Sequence, residues 1–214
     1  MLMKRILLTS IPELSIGVFL IFSSSIGQTF FISLFSGEIR NEFSLSHGMF
    51  GIFYSAATLV SAIIFFWLGK LTDQFNLTFL GLVTLGALSG FAFLLSSAET
   101  ILILFLSLLG LRLFGQSMLG HIAITAMARW FSEKRGRALS IALLGHPIGE
   151  ALLPSLIIYF LLQFSWRDIW LGIGIIIITI ILPIVYWLGR YLKSLQFCRS
   201  NNSSLESKNI LNVS

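Results

Sequence analysis

Leu77-Thr-Phe-Leu-Gly-Leu-Val-Thr-Leu-Gly-Ala-Leu-Ser-Gly-Phe-Ala-Phe-Leu-Leu-Ser-Ser97 carries no charged side chain from end to end. It matches the roughly 20 apolar residues that a helix needs to cross hydrocarbon. In lipid every backbone donor and acceptor must be satisfied within the segment, which leaves the helix as the form such a stretch takes. The same criterion finds five further spans: Ile11–Phe35, His47–Gly69, Thr100–Met127, Arg137–Phe164 and Ile169–Tyr191. Hydrophobic residues make up 56% of the chain, charged residues 11%, and the mean hydropathy is +0.93. That leaves too little polar surface to coat a water-soluble globule. The expected fold is all-α, a polytopic membrane bundle of six transmembrane helices over residues 1–192. Residues 193–214 are expected to form a polar cytoplasmic tail or the start of a central loop.

The net charge of +5 sits in short loops beside apolar spans rather than on one solvated face, which argues for orientation and against nucleic acid. Of the 14 basic residues, Arg40 and Arg167 fall on one side, Arg112 falls inside a span, and all the others fall on the opposite side. The positive-inside rule then puts both termini in the cytoplasm. Lys4 and Arg5 precede a run too long for a signal peptide, so it reads as the first spanning helix. The lone Cys198 excludes an intramolecular disulfide.

Polar side chains at depth must face protein or water. They concentrate in helix 1 (Ser23, Ser24, Ser25, Gln28), helix 4 (Arg112, Gln116, His121) and helix 5 (His146, Glu150), which therefore line a polar cavity, while the isoleucine-rich helix 6 stays outside it. Arg112 is the most informative of them, because a buried guanidinium costs at least about 2.5–3.5 kcal/mol unless it finds partners. Arg112 lies thirteen residues past Glu99, and Glu150 thirteen past Arg137. At about 1.5 Å per residue each stands roughly 20 Å in from opposite sides, near one depth. Either the two pair as a structural ion pair, or Arg112 holds a carboxylate by a bidentate contact while Glu150 or His146 takes up a proton. Gln116 shares a helix face with Arg112, and His146 with Glu150. With Gln28 these five are the candidate substrate-binding residues. His121, on nearly the opposite face from Arg112, reads as a hydrogen bond to a neighbouring helix.

Gly69-Lys-Leu-Thr-Asp73-Gln-Phe-Asn76 reads as a turn opened by glycine with a helix-capping aspartate. In helix 5, Gly145 and Gly149 form a close-packing face. Pro147 and Pro154 remove backbone hydrogen bonds and bend the helix.

Gly69-Lys-Leu-Thr-Asp73 resembles the signature loop of the major facilitator superfamily, and Arg112-Leu-Phe-Gly115 that family's fourth-helix motif. Arg129-Trp-Phe-Ser-Glu-Lys-Arg-Gly136-Arg-Ala138-Leu-Ser with Gly145-His-Pro-Ile-Gly149 is similar to the pattern in monocarboxylate porters and oxalate:formate antiporters. Tyr54-Ser-Ala-Ala-Thr58-Leu-Val-Ser61 and Trp166-Arg167 fit the same group. The resemblance spans roughly Leu14 to Tyr191. It implies a secondary active carrier of small organic anions, coupled to a proton or a counter-anion, working by alternating access in the inner or plasma membrane. It also implies a gate in which Asp73, beside Gly69, is latched by a basic residue of the next such loop, with Arg129, Arg135 and Arg137 available. Asn76 stands where the family usually has glycine. The family's fold has two six-helix halves, each built from two inverted three-helix repeats. This chain is then expected to be the N-terminal half, from a truncated or half-length protein that works with a C-terminal half or a second copy. No enzymatic activity, cofactor or metal is expected. The competing readings are a membrane electron-transfer protein with haem held by His121 and His146, and a structural half-bundle that transports nothing. A protease using Ser117 fails for want of a histidine in helix 6.

Overall fold

The computed structural model describes residues 11–192 together with Ser194. Lys4, Arg5, Cys198 and the rest of the expected tail lie outside the described residues. Among those described there is no strand, and six helical spans are long and apolar enough to cross a membrane: α1 (Ile11–Ser33), α2 (His47–Gln74), α3 (Leu77–Ser96), α4 (Ile101–Trp130), α5 (Arg135–Leu161) and α6 (Trp166–Leu192).

Four of the spans begin at side-chain caps, which satisfy backbone donors that a helix start leaves open. Ser46 accepts from Met49 N at 3.1 Å, Thr100 from Ile103 N at 3.3 Å, and Asn76 from the amides of Thr78 and Phe79. Ser165 and Asp168 form a reciprocal capping box at the start of α6. Asn76, not Asp73, is thus the residue that caps α3, which corrects the expectation for that loop. Gly69 has an ordinary helical φ of −56°, so the turn does not depend on glycine's conformational freedom.

The first span is not one continuous helix, contrary to the sequence reading. It runs as α-helix to Ser24, tightens over Ser25–Gly27, becomes extended at Gln28 (φ −78°, ψ 155°) and restarts at Thr29. Ser23 Oγ and Ser24 Oγ donate back to the carbonyls of Phe19 and Ile21 at 2.7 and 2.6 Å, and such local bonds compete with the helical ladder. The first connection holds a short helix, Ser36–Glu42. In α4 the turns widen to i→i+5 over Leu111–Leu119, a departure found mostly at functional positions. In α5 the helix is interrupted at Leu144, whose amide reaches Ile141 O at 3.2 Å. Pro147 has no N–H to return to Leu143, which places the interruption there. Pro154 sits inside the helix that follows, Gly145–Leu161.

α1 packs on α4 and α5, α4 on α2 and α3, and α3 on α6. Exchanging α1, α2 and α3 with α4, α5 and α6 maps the α2–α4 contact onto the α5–α1 contact and the α3–α6 contact onto itself. An odd number of spans per unit makes the second unit run opposite to the first, as an inverted three-helix repeat requires. Helices associate in lipid through close approach at small residues. Gly110 seats against Phe91 and Gly174 against Phe93, joining α3 to α4 and α6. Gly145 and Gly149 meet Val18, Phe22 and Ser25, so the packing face read in helix 5 lies against α1. Phe31 and Phe35 close on the buried Trp170 ring at 5.6 and 5.1 Å between centroids. The isoleucines at 175, 176, 178 and 180 of α6 are exposed, as a lipid-facing helix requires.

Candidate functional site

Arg112 is 5% exposed, in the widened part of α4, opposite the break in α1. There Gly27 and Gly115 touch, so the backbone of the break comes within reach of the guanidinium. Arg112 Nη1 donates to Gly27 O and to Thr29 Oγ1, both at 3.2 Å, and Nε donates to Thr58 Oγ1 at 3.1 Å. The guanidinium lies over the Tyr54 ring, 5.2 Å from its centroid, and Tyr54 Oη donates to Thr29 Oγ1 at 3.0 Å. Tyr54 and Thr58 are four residues apart on α2 and present one face to α4.

Glu150 does not pair with Arg112; it faces His146 Nδ1 at 3.7 Å within α5, so the structural ion pair, one of the two readings offered for these residues, gives way to an i,i+4 pair. Equal depth fixes height along the membrane normal but not the side of the helix that a residue occupies, and Glu150 sits on the exposed side of α5. A guanidinium has five donors. Three are spent on neutral oxygens, and both hydrogens of Nη2 have no acceptor among the described residues. The positive charge is stabilised by dipoles and a π face and is not cancelled by a carboxylate.

Of the other expected site residues, Gln28 occupies the extended position of the break. Gln116 Oε1 is buried without a hydrogen bond among the described residues, as is Ser25 Oγ. Gly27, Thr29, Tyr54 and Thr58, which hold the guanidinium, were not assigned to the site from sequence, and α2 was not counted among the lining helices. The signals for Tyr54 and Thr58 were their i,i+4 spacing and their place in the Tyr54–Ser61 stretch that fits the family pattern.

At one end of the bundle Asp73 is held by Arg129: Nη2 to Oδ1 is 2.6 Å, and Nη1 donates to Thr72 O at 2.7 Å. Thr72 Oγ1 donates to Gly69 O at 2.8 Å and lies 3.2 Å from His121 Nε2, whose ring stands edge-on to Phe65. His121 therefore makes the inter-helix contact expected of it. His146 packs on Phe30 of α1 instead, so the two histidines face different neighbours and do not form the axial pair that a haem needs.

At the other end Glu42 accepts from Arg167 Nε at 3.0 Å, from Arg167 Nη2, and from Trp166 Nε1 at 2.7 Å. Arg167 Nη1 also donates to Ser96 O at 2.8 Å. The Arg167 hydrogen bonds hold the Glu42 carboxyl below the usual carboxylate range, against partial desolvation and with help from Trp166 and the Arg167 charge.

The family profile of the Major Facilitator Superfamily matches residues 17–203. No curated protein and no solved structure matches the chain. With six apolar spans in two exchangeable units of three and a profile match over most of its length, the chain is an integral membrane protein that belongs to the Major Facilitator Superfamily, a family of membrane transporters.

Proposed function

We propose that this bundle is the N-terminal half of a secondary carrier of small organic anions, of the monocarboxylate or oxalate/formate kind, that works by alternating access. One observation carries the reading: Arg112 is buried, has only uncharged partners and keeps two donors on Nη2 unused. A carboxylate oxygen accepts from Nη2 in a charge-assisted hydrogen bond and cancels the charge. Polar groups on an open face favour a covering partner. Glu150 is exposed within the α5 span, and an ionised carboxylate is not stable against lipid tails. Only 11% of the α2 window and 22% of the α5 window is buried, against 61% for α1. A second six-helix half, or a second copy of this bundle, shields that face and completes a cavity. The Asp73–Arg129 contact serves as the latch of the gate on the side where the basic loops cluster, which the positive-inside rule makes cytoplasmic.

The test is uptake of labelled lactate, formate and oxalate by vesicles that contain the full-length protein, beside its Arg112→Ala variant. Uptake of at least one anion by the wild type, with loss in the variant, supports the reading; equal uptake by both removes Arg112 from the site.

A further inference from the structure

We propose that Thr29 is a substrate-binding residue, whose hydroxyl donates to the second oxygen of a carboxylate that Arg112 Nη2 holds by the first. This inference rests on the carrier reading above and adds a contact that favours an anion with two oxygens on one carbon.

A hydroxyl has one hydrogen to give and two lone pairs with which to accept. Thr58 Oγ1 gives its hydrogen to Tyr54 O at 2.8 Å and accepts from Arg112 Nε at 3.1 Å, so its hydrogen is spent. Thr29 Oγ1 accepts from Arg112 Nη1 at 3.2 Å and from Tyr54 Oη at 3.0 Å. Both of its lone pairs are then used, and its own hydrogen has no acceptor among the described residues. Whichever of the Tyr54 and Thr29 hydroxyls donates, the two share one bond and one hydrogen is left over.

The break in α1 is what leaves that hydrogen free. Thr84 and Thr179, inside unbroken helix, donate to the carbonyl four residues back, at 2.7 and 2.8 Å, as threonine does where a preceding turn supplies the acceptor. Thr29 has no such turn behind it, because Gln28 is extended and the helix restarts at Thr29. Gln28 is the residue expected in the site from sequence; the restart sets its neighbour against the guanidinium.

Thr29 also stands where an anion meets the site. Arg112 is 5% exposed, whereas Thr29 is exposed, so the hydroxyl forms the rim of the guanidinium's pocket on the open face of the bundle. Nη1 and Nη2 are borne by one carbon, and Nη1 is bonded to Thr29. The free hydroxyl hydrogen and the free hydrogens of Nη2 are therefore neighbours, within the span of one planar carboxylate. A hydroxyl bond to an ionised acceptor is stronger than one to a neutral acceptor, so the contact adds affinity as well as orientation.

The experiment uses the purified full-length protein with labelled formate, lactate and oxalate. Equilibrium dialysis gives the Kd, and isotope-edited infrared difference spectra of the 13C-labelled anion give the carboxylate stretching bands of the bound form. Thr29→Val removes the hydroxyl at nearly constant shape on an exposed position, Thr29→Ser keeps it, and size-exclusion profiles confirm that both are folded. Thr29→Val should raise the Kd about tenfold or more, the loss of one hydrogen bond to a charged group, and shift the bands of the bound anion, while Thr29→Ser restores both. A residue that only steadied Arg112 would change the Kd and leave the bands in place. An unchanged Kd or unchanged bands in Thr29→Val overturn the Thr29 contact while the carrier reading stands. Failure of the wild type to bind any of the three anions overturns the carrier reading, and the contact with it.

Discussion

Gly27 of α1 and Gly115 of α4 cross so closely that a Cβ added to Gly115 would stand 2.7 Å from Gly27 Cα, and one on Gly27 would stand 2.3 Å from Leu111 O. Backbone cannot yield as a flexible side chain does, so Gly27→Ala and Gly115→Ala are expected to destabilise the bundle by about 1–3 kcal/mol, the usual cost of overpacking. Gly86, on α3, has nothing within 4 Å of its added Cβ. There alanine is expected to be neutral or stabilising by up to about 1 kcal/mol. Thermal unfolding of the three variants in detergent checks the contrast. Equal melting temperatures would mean that the two helices do not meet at these glycines.

Asp73 and Arg129 are exposed, at 74% and 43%, so their ion pair contributes no more than about 1 kcal/mol to stability. Its role is to hold the loop after α2 against the end of α4. Asp73→Asn and Arg129→Gln should leave the melting temperature nearly unchanged and each lower the transport rate, and the double variant should be no worse than either single one. Additive losses in the double variant would show that the residues act separately.

Glu42 titrates below the ordinary carboxylate range because Arg167 holds it. A depressed folded-state value stabilises the fold at pH above the unfolded value, and that contribution disappears as pH falls through the folded one. The melting temperature of the wild type should exceed that of Glu42→Gln at neutral pH, with the gap closing in acid below about pH 4. Fluorescence of Trp166, which donates to Glu42, reports the same loss locally. A gap that stays constant from neutral to acid would show that the clamp does not depend on the ionised carboxylate.

Most of the fold was legible in the sequence because hydropathy acts locally: the run from Leu77 to Ser97 needs no tertiary information, whereas the caps at Ser46, Thr100 and Ser165 were not read and the one cap read, Asp73, belongs to Asn76. The glycine face of α5 and the Asp73–Arg129 contact were also readable, one from i,i+4 spacing and one from family resemblance. The neighbourhood of Arg112 was only partly so. Residue spacing puts Arg112 and Glu150 at similar heights but leaves the azimuth open, so the ion pair offered as one of two readings does not form and Glu150 faces His146 instead. The break at Gln28 arises from serine back-bonding and from the Gly27–Gly115 crossing, and the second of these exists only once α1 and α4 are packed. Tyr54 and Thr58 lie in a stretch that fits the family pattern, but neither they nor Thr29 carry a charge, and only the folded contacts mark them as the cradle of the guanidinium.

The most direct test of that cradle is ligand-protected stability of the purified full-length protein, measured as melting temperature against rising lactate, formate or oxalate. A ligand at about a hundred times its Kd stabilises by about 2.7 kcal/mol. The wild type should show such protection. Arg112→Gln, which keeps a polar group but no positive charge, should lose it, and Arg112→Lys should retain only part, because a single ammonium cannot donate to Gly27, Thr29 and Thr58 and still present a donor to the anion as the guanidinium does. Protection of Arg112→Gln as strong as that of the wild type would contradict an anion site at this guanidinium.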